Sequence, residues 1–230
     1  MKRILEPELM DDEHQSLAYS RANFSVSNQW FVDRLQAEFP DYLGRVVDIG
    51  CGPADVLVRL ATTNPKIEIT AIDGSAPMIR LAQQAVRAAR LEIQIKLMQG
   101  HIPGLPLEEH SYDAVLSKDM LHHLPDPSAL WNEVKRLGRP GALVYVMDLC
   151  RPDTPDAARR IVEATAAEED PVLKRDFYNS LCAAFTVKEV EEQLRRAGHT
   201  FDVTQVSERH MVVHGMLPRT TGHHSLKNLQ

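Results

Sequence analysis

The chain has 230 residues, 43% of them hydrophobic, which suits one α/β domain with a small addition and supplies a sizeable core. Its formal charge of −6 argues against a broad phosphate-tracking surface, and so against nucleic acid as a partner. Cys51, Cys150 and Cys182 lack metal-ligand or redox-pair spacing, so reduced thiols in a cytoplasmic protein are expected. No stretch approaches the roughly 18 apolar residues of a membrane span, and Met1 to Asp12 holds no apolar run of signal-peptide length.

In chain order, residues 1–44 read as helical and are expected to form a lid. Trp30, Phe31, Leu35 and Phe39 share one apolar stripe, and Pro40 and Gly44 punctuate the link to the first core strand. Residues 45–148 then alternate strand and helix signals, the pattern of a parallel sheet with crossover helices. The β-branched run from Val46 ends at Asp48, and a turn of Gly50, Cys51 and Gly52 leads to Asp55, where a helix begins. Ile67 to Ile72 is a second strand ending at Asp73, and Ser75 caps the helix that carries Met78, Leu81, Ala82 and Ala85 on one face. Leu91, Ile93, Ile95 and Leu97 alternate with polar residues as a half-buried strand. Ser111 to Ser117 is the fourth strand, followed by Lys118-Asp119-Met120-Leu121-His122-His123, and Asp126-Pro127 opens the next helix. Leu137 to Leu143 contains a turn before a strand over 142–148.

Residues 150–184 break this rhythm with three prolines and mixed charges, and are expected to be a substrate-cap insertion. A helix from Thr186 to Ala197 stops at Gly198, and Phe201 to Val206 pairs with Arg209 to Leu217 around Ser207-Glu208. The expected fold is an α/β, Rossmann-like, seven-stranded and mostly parallel sheet with helices on both faces and the last strand antiparallel. The core domain spans 45–217, and a frayed tail spans 218–230, with His223 and His224 solvated.

The glycine turn suits a ligand that approaches the backbone closely. A dinucleotide fingerprint has a third glycine where this chain has Asp55, and Asp48 and Asp55 would repel a pyrophosphate. The carboxylates favour a nucleoside that carries positive charge, a description that S-adenosylmethionine fits. Asp73, some twenty residues past the turn, is placed to accept both ribose hydroxyls.

On these residues, together with Ser111 to Ser117, Leu121 to Leu124 and Leu137 to Leu143, the chain resembles the class I S-adenosylmethionine-dependent methyltransferases from Val46 to Asp148, and more loosely to Leu217. The resemblance implies that the backbone of Gly50 and Gly52 lies under the methionine moiety, that Asp48 orients its ammonium and that Asp73 holds the ribose. Met78 would touch adenine. His101, in the stretch Met98 to Pro103, stands where many members have an aspartate that accepts from the adenine amino group. Cys51, Gly74, Gly100, Ile102 and Ser117 complete the implied cofactor set.

His122 is the leading catalytic candidate, as base or hydrogen-bond donor, beside Asp119 and His123; His123 also reads as a packed histidine. In a second reading, Asp119-x-x-His122-His123 resembles the Glu-x-x-Glu-His metal motif of the ubiquinone-pathway O-methyltransferases, with two imidazoles shifting preference from magnesium toward zinc, iron or manganese. Tyr19, Phe24, Trp30, Arg151 and Tyr178 are expected to bind substrate, with Phe177, Asn179, Arg209 and His210 as further pocket candidates. The expected activity is methyl transfer to a small-molecule acceptor by in-line displacement, with homodimerisation open and a non-catalytic partner protein as the alternative.

Overall fold

The computed structural model describes residues 1–6, 19, 24–40 and 44–219. Five parallel strands, β1 (Arg45–Ile49), β2 (Glu68–Asp73), β3 (Ile95–Gln99), β4 (Tyr112–Lys118) and β5 (Gly138–Leu149), join β6 (Asp202–Gln205) and β7 (His210–Met216) in one sheet. The order is β3-β2-β1-β4-β5-β7-β6, and β7 runs antiparallel to both its neighbours, as the closing hairpin of the sequence anticipates. The strand order reverses between β1 and β4, so the crevice beyond their carboxyl ends is where such a sheet takes a ligand.

The helices are α1 (Ser25–Glu38), α2 (Asp55–Thr63), α3 (Ala76–Ala89), α4 (Ser128–Leu137), α5 (Pro155–Ala166), α6 (Pro171–Ala183) and α7 (Val187–Ala197). Their ends follow the chemistry of their sequences. The Ser75 hydroxyl accepts from the Met78 N–H at 3.3 Å, Asp126 accepts from the Ser128 N–H at 2.9 Å, and Thr186 and Glu189 cap each other reciprocally before Gly198 closes α7 in a left-handed turn.

Two apolar layers sandwich the sheet. One gathers Trp131, Leu130 and Leu137 of α4 with Val190 and Leu194 of α7; the other gathers Phe31 and Leu35 of α1 with Leu57, Leu60 and Ala82 of α2 and α3. A third, smaller cluster joins α5 to α6 through Ala158, Val162 and Leu181.

The structure differs from the sequence reading at four places. Leu91 to Gln94 form a turn, not a strand: Arg90 ends α3 left-handed at φ +59, and the Leu91 N–H is used up on the Val86 carbonyl, so pairing starts only at Ile95 and Ile93 is 93% exposed. The turn expected before the fifth strand is taken into β5, whose register slips between Tyr112 and Ala114 while Gly141 turns at φ +81. Residues 1–6 are not helical but lie without regular secondary structure against the insertion, with the Ile4 N–H on the Cys182 carbonyl at 3.0 Å. Trp30 leaves the stripe of α1, whose buried face is Asn28, Phe31, Val32 and Leu35. Residues 220–230, with His223 and His224, lie outside the described residues. No helix among the described residues is long and apolar enough to cross a membrane.

Candidate active site

Along the carboxyl ends of β1, β2, β4 and β5 lies a cavity of about 1430 Å³. Its floor is the loop after β1. Gly50 and Cys51 both donate to the Ile72 carbonyl at 2.8 Å, which folds the turn back over β2. Gly50 has φ +84, and a Cβ there would come within 2.4 Å of Met120 Cγ, so the position requires glycine. Gly52, at φ +51, would meet nothing within 4 Å: its backbone faces open space in the cavity.

Asp73 is aimed by two backbone donors, Gly52 N–H on Oδ2 and Ser75 N–H on Oδ1, both at 2.8 Å. These two bonds fix the carboxylate at the edge of the cavity. Asp48 lies beneath it, 6% exposed. Burial, then the charge of Asp73, pushes its carboxyl from the ordinary 3.8 up to about 7, against the pull of Lys118. Burial and the same two carboxylates push the Cys51 thiol up as well. This end of the cavity is therefore short of positive charge. Lys118 is paired with Asp119, and Arg59 reaches Asp55 at 2.8 Å. A cationic ammonium beside a nucleoside fits these groups; a pyrophosphate does not. Asp55 contributes less to that discrimination than its sequence position suggests, because Asn28 and Arg59 each hold Oδ2 at 2.8 Å and thereby tie α1 to α2.

The other end of the cavity is built on the turn after β4. His122 is buried and its Nδ1 lies 2.7 Å from Asp148 Oδ1; in the neutral ring, donation to that oxygen puts the proton on Nδ1 and leaves the electron pair on Nε2. Asp148 is itself fixed by the N–H groups of Leu121 and Leu149, each at 2.7 Å. Burial works against the charged imidazole, yet Asp148, with Glu6 and Asp119 behind it, raises the pKa of His122 above its usual value. Asp119 turns left-handed at φ +54 and binds Lys118. Burial alone would raise its carboxyl, but Lys118, with His210 and His122, holds it down at about 2. His210, across the cavity, is pushed down to about 4 by burial, with Arg209 and Lys118 adding to the effect against Asp119.

Of the expected cofactor set, Asp48, Gly50, Cys51, Gly52, Asp73, Gly74, Met78, Gly100, His101 and Ile102 line the cavity, and so do Asp119, His122 and His123. Tyr19 and Phe24, with ring centroids 4.6 Å apart, and Trp30 form part of the wall, as do Phe177, Arg209 and His210. Four expected residues lie off the cavity lining, and Asn179 is one of them. Ser117 is fully buried and donates to the Ile49 carbonyl at 2.7 Å, a pin between β4 and β1. Arg151 is buried against the Ala184 carbonyl and Glu189 Oε1 at 3.0 and 2.7 Å, and holds the insertion to α7. Tyr178 packs on the cluster between α5 and α6, under the Arg159 guanidinium. The metal trio of Asp119, His122 and His123 does not assemble, because Lys118 engages Asp119. Glu6 stands in its place, with Oε1 3.4 Å from His122 Nε2 and 3.2 Å from His123 Nδ1.

Two residues that meet His122 have no place among the site residues of the sequence reading, Glu6 and Asp148. Asp148 carries the same signal as Asp48 and Asp73, an apolar run that ends in a carboxylate. Glu6 carries none, since the contact spans more than a hundred residues of chain.

Residues 47–146 match the methyltransferase domain family. A demethylmenaquinone methyltransferase of Lactiplantibacillus plantarum is 32% identical over 48% of this chain and 47% of its own length. The 27-O-demethylrifamycin SV methyltransferase of Amycolatopsis mediterranei is 27% identical over 72% of this chain and 58% of its own length. The chain thus spans about half the length of the first of these relatives. Among solved structures, an S-adenosylmethionine-dependent methyltransferase from Aquifex aeolicus superposes with a TM-score of 0.67 at 19% identity, covering 90% of this chain and 98% of that one. The plantazolicin methyltransferase BpumL with S-adenosylhomocysteine superposes with a TM-score of 0.69 at 16% identity, covering 90% of this chain and 92% of that one. Residues 47–146 therefore match a methyltransferase domain, and the seven-stranded sheet has the fold of S-adenosylmethionine-dependent methyltransferases of known structure.

Proposed function

We propose that the protein transfers the methyl group of S-adenosylmethionine to a hydroxyl of a small-molecule acceptor. The observation that carries this reading is the His122–Asp148 pair at 2.7 Å, opening on the same cavity as Asp48 and Asp73. When bound, the cofactor supplies an electrophilic methyl on a sulfonium. Asp48 would hold its ammonium, and Asp73, aimed by Gly52 and Ser75, would accept from its ribose hydroxyls. His122 takes the acceptor's proton on Nε2 while Asp148 keeps the ring oriented and stabilises the imidazolium that results. The aromatic wall of Tyr19, Phe24, Trp30 and Phe177 packs the acceptor and keeps water out.

Size supports a small acceptor. Ligand pockets are typically about 300–1,000 Å³, so a cavity of about 1430 Å³ holds a nucleoside cofactor and leaves room for a second molecule. The names of the two relatives, which specify demethylmenaquinone and a demethylrifamycin, are in keeping with that class.

The test is a melting comparison with S-adenosylmethionine, S-adenosylhomocysteine and NAD, followed by mass spectrometry of a metabolite extract incubated with methyl-labelled cofactor. The two sulfur nucleosides should stabilise the protein by mass action, and NAD should not. Stabilisation by NAD alone would overturn the reading.

A further inference from the structure

Glu6 reaches the histidine end of the cavity from a segment without regular secondary structure that is nonetheless well anchored. The Arg3 guanidinium donates to the carbonyls of His122 and Leu124, both at 2.9 Å, so the stretch that carries Glu6 and the turn that carries the two histidines are held to each other. The Glu6 side chain is only 9% exposed. Ser180 donates to its Oε2 at 3.2 Å, whereas Oε1 has no hydrogen-bond donor although it faces two ring nitrogens at 3.4 and 3.2 Å. Leaving a buried carboxylate oxygen in that state is costly unless something else satisfies it.

The spacing indicates what that is. Glu6 Oε1, His122 Nε2 and His123 Nδ1 offer one ligand atom each, all within 4.8 Å of one another. A tetrahedral ion with bonds of about 2.0–2.1 Å sets its ligand atoms about 3.4 Å apart, close to the two separations observed at Oε1. The opposite nitrogen of His122 is held by Asp148 at 2.7 Å, the outer carboxylate that commonly orients a metal-binding imidazole. Both histidines line the cavity, so the fourth position opens to solvent or acceptor.

We propose that Glu6, His122 and His123 bind a divalent transition-metal ion of the zinc class, and that the bound ion switches methyl transfer off. Two imidazoles and one carboxylate suit zinc and do not suit magnesium or calcium, which take oxygen ligands. Inhibition follows from a single electron pair: the Nε2 pair that would take the acceptor's proton is donated to the ion instead. The ion also ties the segment of residues 1–6 more firmly to the turn that carries both histidines. This inhibitory effect rests on the methyl-transfer reading above; the binding of the ion does not.

The experiment uses the full chain, stripped with a chelator and desalted. Zinc is titrated against a chromophoric chelator, and native mass spectrometry counts the ions bound. One zinc per chain is expected, with no competition from millimolar magnesium. Glu6→Gln and, separately, His123→Gln should weaken zinc binding at least about tenfold while leaving S-adenosylmethionine affinity by calorimetry within about twofold. Saturating zinc should suppress wild-type turnover reversibly, and Glu6→Gln turnover should be insensitive to the same concentration. Absence of stoichiometric zinc, or equal zinc affinity in both variants and wild type, overturns the site. Zinc that binds as expected but leaves turnover unchanged or raises it overturns the inhibition. A protein that binds zinc but neither S-adenosylmethionine nor any methyl acceptor overturns the methyl-transfer reading, and the inhibition with it, while the metal site stands.

Discussion

The proposed role of Asp48 sets binding against folding, and the two effects have opposite signs that one substitution separates. Its carboxyl is driven from 3.8 up to about 7 by burial and then by Asp73, so keeping it ionised in the free protein costs about 4 kcal/mol relative to an ordinary carboxylate. Between about pH 4 and about pH 7 the folded chain holds a proton that the unfolded chain has lost, so this group's contribution to stability falls as pH rises through that window; above about pH 7 the full cost is present. Asp48→Asn is nearly isosteric and removes the charge. Desolvation of the amide consumes part of the gain, and a net stabilisation of about 1–2 kcal/mol at pH 8 should raise Tm by roughly 2–8 °C. Cofactor binding should respond in the opposite direction. From about pH 7.5 to about pH 5.5 the ionised fraction of a group with a pKa of about 7 falls from about three-quarters to about 3%, so wild-type affinity for S-adenosylmethionine should weaken about 25-fold. The Asn variant should bind weakly with no such slope. Calorimetry across that range, with melting curves on the same samples, measures both. A flat wild-type affinity, or an Asn variant that melts lower than wild type at pH 8, would refute the assignment of Asp48 as the ammonium's partner.

Asp73→Ala removes the acceptor aimed by Gly52 and Ser75, and calorimetry should show cofactor affinity lowered well over tenfold, since two charge-assisted hydrogen bonds are lost; unchanged affinity contradicts the ribose assignment. His122→Ala should lower kcat by about 10²-fold or more with cofactor affinity within about twofold, whereas a defect confined to yield or melting temperature would make His122 a packing residue. Asp148→Asn should shift the base limb of the kcat profile to lower pH, because Asp148 is what holds the His122 pKa up against burial; a profile that keeps its midpoint rules out that coupling. Gly50→Ala, at φ +84 and against Met120, should destabilise the fold by about 2 kcal/mol or more in urea, and a loss below about 0.5 kcal/mol would show that Met120 yields freely.

Much of the fold was legible because its strands are continuous apolar runs between punctuated turns, and buried parallel strands leave that trace. The strand ends at Asp48 and Asp73 were legible for the same reason, since a carboxylate closing an apolar run has no role in the core. Leu91 to Gln94 misled because their alternation is real but the capping of α3 claims Leu91 first. Arg151 and Tyr178 were indistinguishable from pocket residues until the packing of the inserted helices was known: one turns back onto α7, the other into the contact between α5 and α6. Ser117 reads as a cofactor contact from its place at a strand end, yet its side chain points at the neighbouring strand. Glu6 left no trace at all, because its partners are set by tertiary anchoring through Arg3 and Ser180 rather than by any local pattern.

The chain has two tryptophans, and the fold divides them between separate surroundings. Trp131 is sealed between α4 and α7 with its indole N–H on Gln193 Oε1 at 3.0 Å, whereas Trp30 is 37% exposed on the cavity wall. Intrinsic fluorescence therefore contains one emitter that reports only global unfolding and one that a passing ligand can quench. Trp30→Phe would silence the second alone, so that the difference between wild type and variant isolates the binding signal without any added dye.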